Sequence, residues 1–131
     1  MPRRDIKNNV DVVQSLAPAS RNAAANGSGV DLKGFDAAMV VFDAGAIGGT
    51  SPSFTFQVEE SDDNSVFTPV ADEDLQGTEP VFTAGDQIAR VGYIGNKRWI
   101  RSRLDDVQGT SPTLLCSSSV VRGKPDLAPV A

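Results

Sequence analysis

The 131-residue chain contains no histidine. That absence removes the commonest general base, the commonest zinc ligand and every Ser-His or Cys-His nucleophile pair. Enzymes without histidine rely chiefly on paired carboxylates or lysine, so the absence counts against an enzyme. Cysteine occurs once, as Cys116, so no internal disulfide can form. Its setting, TLLCSSSVV, reads as a strand carrying a small buried core residue, with no neighbouring base to make a reactive thiolate. No apolar run approaches the roughly 20 residues of a membrane span, and a membrane partner is not expected. The opening MPRRDIKNNV lacks the apolar stretch of a secretory signal, which points to synthesis in the cytoplasm. Helical spacing is nowhere sustained for three turns. The Ala-rich piece LAPASRNAAANGSG is interrupted by Pro18 and stopped by Asn26-Gly27-Ser28-Gly29, leaving room for one short turn at most.

Positive charge is missing from the middle of the chain. No Lys or Arg lies between Lys33 and Arg90, whereas that interval holds Asp36, Asp43, Glu59, Glu60, Asp62, Asp63, Asp72, Glu73, Asp74, Glu79 and Asp86. The cations sit in the flanks, and the net charge is −5. If folding preserves the segregation, one acidic and one basic surface result, and copies can meet head to tail. If the strands interleave, the charges even out.

What remains is strand signal. Val10–Leu16 is the first candidate and Gly29–Phe35 the second. AAMVVF (37–42) is apolar on both parities and predicts a central strand covered on both faces. Gly45, Gly48, Gly49 and Pro52 predict a flexible loop. Ser53–Glu59 alternates cleanly, with Phe54, Phe56 and Val58 on one side and Thr55, Gln57 and Glu59 on the other. VFTPV (66–70), 86–94, 98–104 and 113–123 complete the set, with Gly95-Asn96-Lys97 predicting a hairpin turn between two of them. About eight short strands at this spacing predict an all-β fold: a single antiparallel β-sandwich or jelly-roll-like domain over 10–123. Residues 1–9 and 124–131 read as extended arms, the latter rich in proline.

Two constellations carry whatever chemistry is present. EESDDNS (59–65) places consecutive carboxylates after a strand. An EF-hand loop needs alternating ligands followed by a glycine, whereas Asp62-Asp63-Asn64 are consecutive and no glycine follows them. A glycosidase pair needs two carboxylates facing one cleft about 5–10 Å apart, which neighbouring turn residues do not supply. A hairpin tip needs only side chains that bond their own backbone and tolerate a left-handed residue. Asp62 and Asp63 therefore stand as weak cation candidates on a turn, and no metal, cofactor or catalytic residue is assigned. Carboxylates between Glu59 and Asp74 remain the only hydrolase candidates. The second constellation is NKRWIRSR, where Trp99, Arg101 and Arg103 share one strand face. Such a face can be a core edge with intramolecular pairing, a protein interface or a nucleic-acid platform. The acidic balance of the chain counts against nucleic acid.

Several segments together resemble a family of small virion proteins of tailed bacteriophages: DIKNNVDVVQSLAPASRNA, GVDLKGFDAAMVVFDAGA, QVEESDDNSVFTPVADEDLQG, VGYIGNKRWIRSRL and VVRGKPDLAPV. Their order and spacing, over nearly the whole chain, carry the resemblance. Asp126 departs from the basic residue expected there. The resemblance implies a head decoration (cement) protein on the capsid exterior, binding the major capsid protein and copies of itself, as a dimer or trimer. Interface candidates are Arg3, Arg4, Trp99, Arg101, Arg103, Lys124, Pro125 and Leu127. A head-tail joining or tail component is the alternative within the same class. A carbohydrate-binding sandwich with Trp99 or Tyr93 as stacking platform is the alternative outside it.

Overall fold

The computed structural model describes residues 4–127. The fold is all-β and antiparallel, with strands β1 (Val10–Arg21), β2 (Ala25–Asn26), β3 (Val30–Asp31), β4 (Phe35–Ser61), β5 (Thr68–Pro69), β6 (Leu75–Gln76), β7 (Val81–Phe82), β8 (Gln87–Tyr93) and β9 (Trp99–Pro125). A 3-10 turn, Asp72–Asp74, precedes β6.

Two of these strands are far longer than the sequence predicts. β4 and β9 each run 27 residues and pair with one another along their whole length, from Phe35 opposite Pro125 to Ser61 opposite Trp99. The ribbon does not stay straight. The rings of Phe42 and Phe56, both on β4, have centroids 5.2 Å apart, whereas a straight strand would separate them by about 45 Å. The ribbon therefore folds over on itself, and its two halves become the two layers of a sandwich. The first layer runs β1-β9-β4-β8-β6. In the second, β2 and β3 flank the Trp99–Leu104 part of β9, and β5 and β7 flank the Phe54–Glu60 part of β4.

The fold-over lies where a loop was expected. Register shifts between Ala44 and Ile47, Gly48 and Thr50, and Thr50 and Ser53 bend the ladder without ending it. Gly49 (φ +100°) and Gly109 (φ +114°) take left-handed conformations there, joined by Ser51 and Ser111. Pro18 is likewise absorbed inside β1, between the shifted positions Leu16 and Ala19. Folding over is favoured by what it buries. Phe42, Phe54, Phe56, Ile100, Leu104 and Val120 are sealed between the layers, each at about 1.5–3 kcal/mol. A ladder bond lost at a bulge costs only about 0.5–1.5 kcal/mol.

Other expectations are corrected by the topology. Gly95-Asn96-Lys97 is not a hairpin turn, because β8 pairs with β4 and β6 in the first layer while β9 begins in the second. The segment is a crossover between layers. Residues 5–10 do not run as an extended arm. Asp5 accepts bonds from the Asn8 backbone and side chain, and Asn9 and Val10 donate to the Ile6 carbonyl, forming a closed turn. At the other end β9 continues through Lys124 to Pro125. A proline is tolerated there because β1 has already ended its pairing at Gly123.

AAMVVF is central, between β9 and β8, but it is covered on one face only. Ala38, Val40 and Phe42 point into the core, while Ala37, Met39 and Val41 are half-buried on the side away from the second layer.

Candidate functional site

The acidic hairpin is built as a turn. Asp63 Oδ1 accepts from the backbone N–H of Ser65 (2.9 Å) and Val66 (3.1 Å) and from the Ser61 hydroxyl (2.9 Å). Asn64 is left-handed at φ +60°. These amide donors hold the Asp63 carboxyl below the usual range. Asp62 points outward and meets Lys97 Nζ at 3.0 Å. Among the described residues no group of three or more metal-ligating side chains is gathered. The preceding carboxylates are occupied too. Glu59 is 6% exposed and takes Arg101 Nε at 2.8 Å. Glu60 accepts from the Tyr93 hydroxyl at 2.8 Å. Burial pushes the Tyr93 phenol far above its usual range, with the Lys97 N–H opposing and Glu60 adding to the rise.

The outer face of the second layer does bring Trp99, Arg101 and Arg103 together, as the alternation predicts. It then uses the arginines internally. Arg101 lies between Glu59 and the ring of Phe67, 4.1 Å from its centroid. Arg103 donates to Asn26 Oδ1 at 2.9 Å. Its Nε sits 3.3 Å from Asp105, an ion-pair contact without hydrogen-bond alignment. Trp99 is half-buried beside Arg98, whose guanidinium is 5.4 Å from its ring. Tyr93 is buried, so neither of its faces is presented as a sugar platform.

Two arginines that sequence reasoning passed over tie the edges together. Arg98 forks onto Asp31, Nε at 2.9 Å and Nη2 at 2.7 Å, and holds that carboxyl at about 2. Arg122 spans the Asp31 carbonyl, the Asp11 carboxylate and the ring of Phe35. Only pairing between distant strands reveals such partners. The ion pairs also dissolve part of the charge segregation, since Glu59 and Asp62 of the cation-free interval meet Arg101 and Lys97 of the later flank.

The remaining candidates collect at one end of the sandwich. β1 starts opposite the end of β9, so the segments before Val10 and after Pro125 emerge side by side, and Asp126 N–H donates to the Gly34 carbonyl. Ile6 and Leu127 are 69% and 86% exposed there. Arg4, Lys7 and Lys124 are exposed on the same segments, and Pro125 is half-buried against β4. Beside them a cleft of about 690 Å³ opens among Lys33, Phe35, Tyr93, Lys97, Arg98 and Lys124. Arg3 lies outside the described residues.

A second, smaller notch of about 350 Å³ is acidic, lined in part by Asp72, Glu79 and Asp105. Glu79 Oε2 accepts the Val58 N–H, substituting for a missing strand neighbour. Burial raises its pKa, and the charges of Asp72 and Asp105 raise it further.

No family model, no curated protein and no solved structure matches the chain.

Proposed function

We propose that this chain is a non-enzymatic structural protein of a tailed-phage virion, bound in many copies to the outer surface of the capsid and stabilising it. The reading combines the resemblance of its segments to small virion proteins with one observation that carries it. Both ends of the described chain leave the sandwich together, and they bring Ile6, Leu127, Arg4, Lys7 and Lys124 to one end. Apolar tips among cations that have no ion-pair partner among the described residues suit a partner surface with acidic borders and apolar recesses. The major capsid protein is that partner in this reading. On a symmetric shell, repetition turns a modest contact into firm retention. The lack of histidine and the internal use of Glu59, Glu60 and Asp63 support a role without catalysis.

Binding to purified expanded shells that lack the protein tests the proposal. The chain should bind at many copies per shell and raise the shell's melting temperature. The paired change Lys124→Glu with Leu127→Asp should weaken binding while leaving the free chain's melting unchanged. A chain that does not bind shells, or that binds only at one vertex, overturns the decoration reading; single-vertex binding would favour the head-tail joining role.

A further inference from the structure

We infer that the outer face of the first layer is an interface between two copies of this chain, related by a two-fold axis running along the strands between β4 and β9. An antiparallel sheet with one solvated face normally alternates apolar-in and polar-out. This one breaks the pattern over part of its outer face. One row across the strands reads Val12, Val121, Met39, Gly92, and the row beside it reads Val10, Gly123, Ala37. Val12 is 60% exposed although its neighbour Val13 packs on the core. The next rows are mixed, with polar residues in the majority: Gln14, Ser119, Val41, Arg90, then Ser117, Asp43, Ile88.

The banding selects the occupant. It runs across the strands, so a copy turned about an axis parallel to them lays the apolar rows on one another and the mixed rows on one another. Met39 then faces the other copy's Val121, and Ala37 faces Gly123. Arg90 meets Gln14 and Asp43 meets Ser117, so no like charges oppose one another. An isologous contact requires this kind of self-complementarity. The size is also of the right order. Four strands about 4.8 Å apart and about nine residues long give a footprint of about 500–600 Å² before side-chain relief is counted, against ~800 Å² of accessible surface per partner in standard interfaces. Face-to-face sheets about 10 Å apart are the packing this chain already uses between its own layers.

The inference does not depend on the proposed function, and it is tested without shells. Sedimentation equilibrium of the purified chain should give twice the 13.8 kDa monomer mass. Met39→Glu and, on the exposed edge strand, Val12→Glu should each return the monomer mass with an unchanged circular-dichroism spectrum and a melting temperature that no longer depends on protein concentration. Thr55→Glu, on the outer face of the other layer, should leave the dimer intact. In a Cys116→Ala background, a short bis-maleimide should join Met39→Cys to Val121→Cys when the two variants are mixed. A monomer at every concentration up to the solubility limit overturns the inference. So does a dimer that survives both glutamate substitutions, or one that Thr55→Glu alone abolishes.

Discussion

Arg101 is held at a place where its loss would be felt by another residue. Glu59 is nearly sealed from water and paired with the Arg101 guanidinium, which in turn lies on the Phe67 ring. Arg101→Leu leaves that carboxylate buried and unpaired, and we expect a loss of about 3–5 kcal/mol in urea unfolding. Glu59→Leu combined with Arg101→Leu should recover most of it, because the desolvation cost disappears with the charges. A double variant as unstable as the single one would show that the guanidinium acts by packing on Phe67. Glu79 presents the opposite case. Its folded pKa is raised by burial and by two neighbouring carboxylates, so its ionised form opposes folding above the usual glutamate range, and that penalty fades as pH falls through the raised value. Glu79→Gln keeps an acceptor for the Val58 N–H and removes the charge. The variant should melt higher than the parent at pH 7, with the difference closing below pH ~4.5, the usual value. A lower melting temperature at pH 7 would mean that the charge itself is needed to hold Val58.

At the level of elements, the fold-over of the β4–β9 ribbon is the feature on which both layers depend. A Cβ on Gly49 would stand 2.7 Å from the Ser111 carbonyl oxygen and 2.8 Å from that of Thr110. One on Gly109 would stand 2.8 Å from the Ser51 carbonyl oxygen. Both glycines also occupy left-handed backbone, so Gly49→Ala and Gly109→Ala should each cost more than the ~1 kcal/mol of the conformation alone. Gly34→Ala, also at positive φ but with open space around it, should show that conformational cost without the clash. Thermal melts of the three variants decide this, and equal losses would argue against a sterically locked bend. The same region shows how far the sequence could be read. Alternation at Phe54, Phe56 and Val58 identifies a half-buried strand whatever its neighbours do, and the acidic tip is readable because Asp and Asn bond locally. Gly45 to Pro52 is not readable in the same way, since glycine and proline mark a loop and a bulged bend alike. Trp99, Arg101 and Arg103 share a face by parity alone. Their partners Glu59 and Asn26 are fixed by register between strands far apart in sequence. AAMVVF predicted cover on two faces, and the chain itself supplies one.

For the molecule as a whole, the shared strands decide how it comes apart. In a sandwich whose layers own separate strands, one sheet can loosen while the other persists. Here β4 and β9 each supply the centre of both layers, so melting either layer frees half of the ribbon that organises the other. The buried serines reinforce the link. Ser15 on β1 accepts the N–H of Ser102 at 3.0 Å and donates to the Ser28 carbonyl at 2.9 Å, and Ser102 meets Ser118 from the opposite half of β9. We therefore expect a single all-or-none transition. Trp99 reports the second layer by its fluorescence. Cys116, buried in the first layer with its thiol pKa pushed up by burial, reports that layer by its reactivity toward a thiol reagent. Their urea midpoints should coincide. Refolding should be slow for a chain of this size, in milliseconds to seconds, because pairs such as Val10 with Gly123 close only after most of the chain is in place. Thiol exposure at a urea concentration where the tryptophan signal is still native would show instead that the first layer opens alone, and that the bend between the halves acts as a hinge.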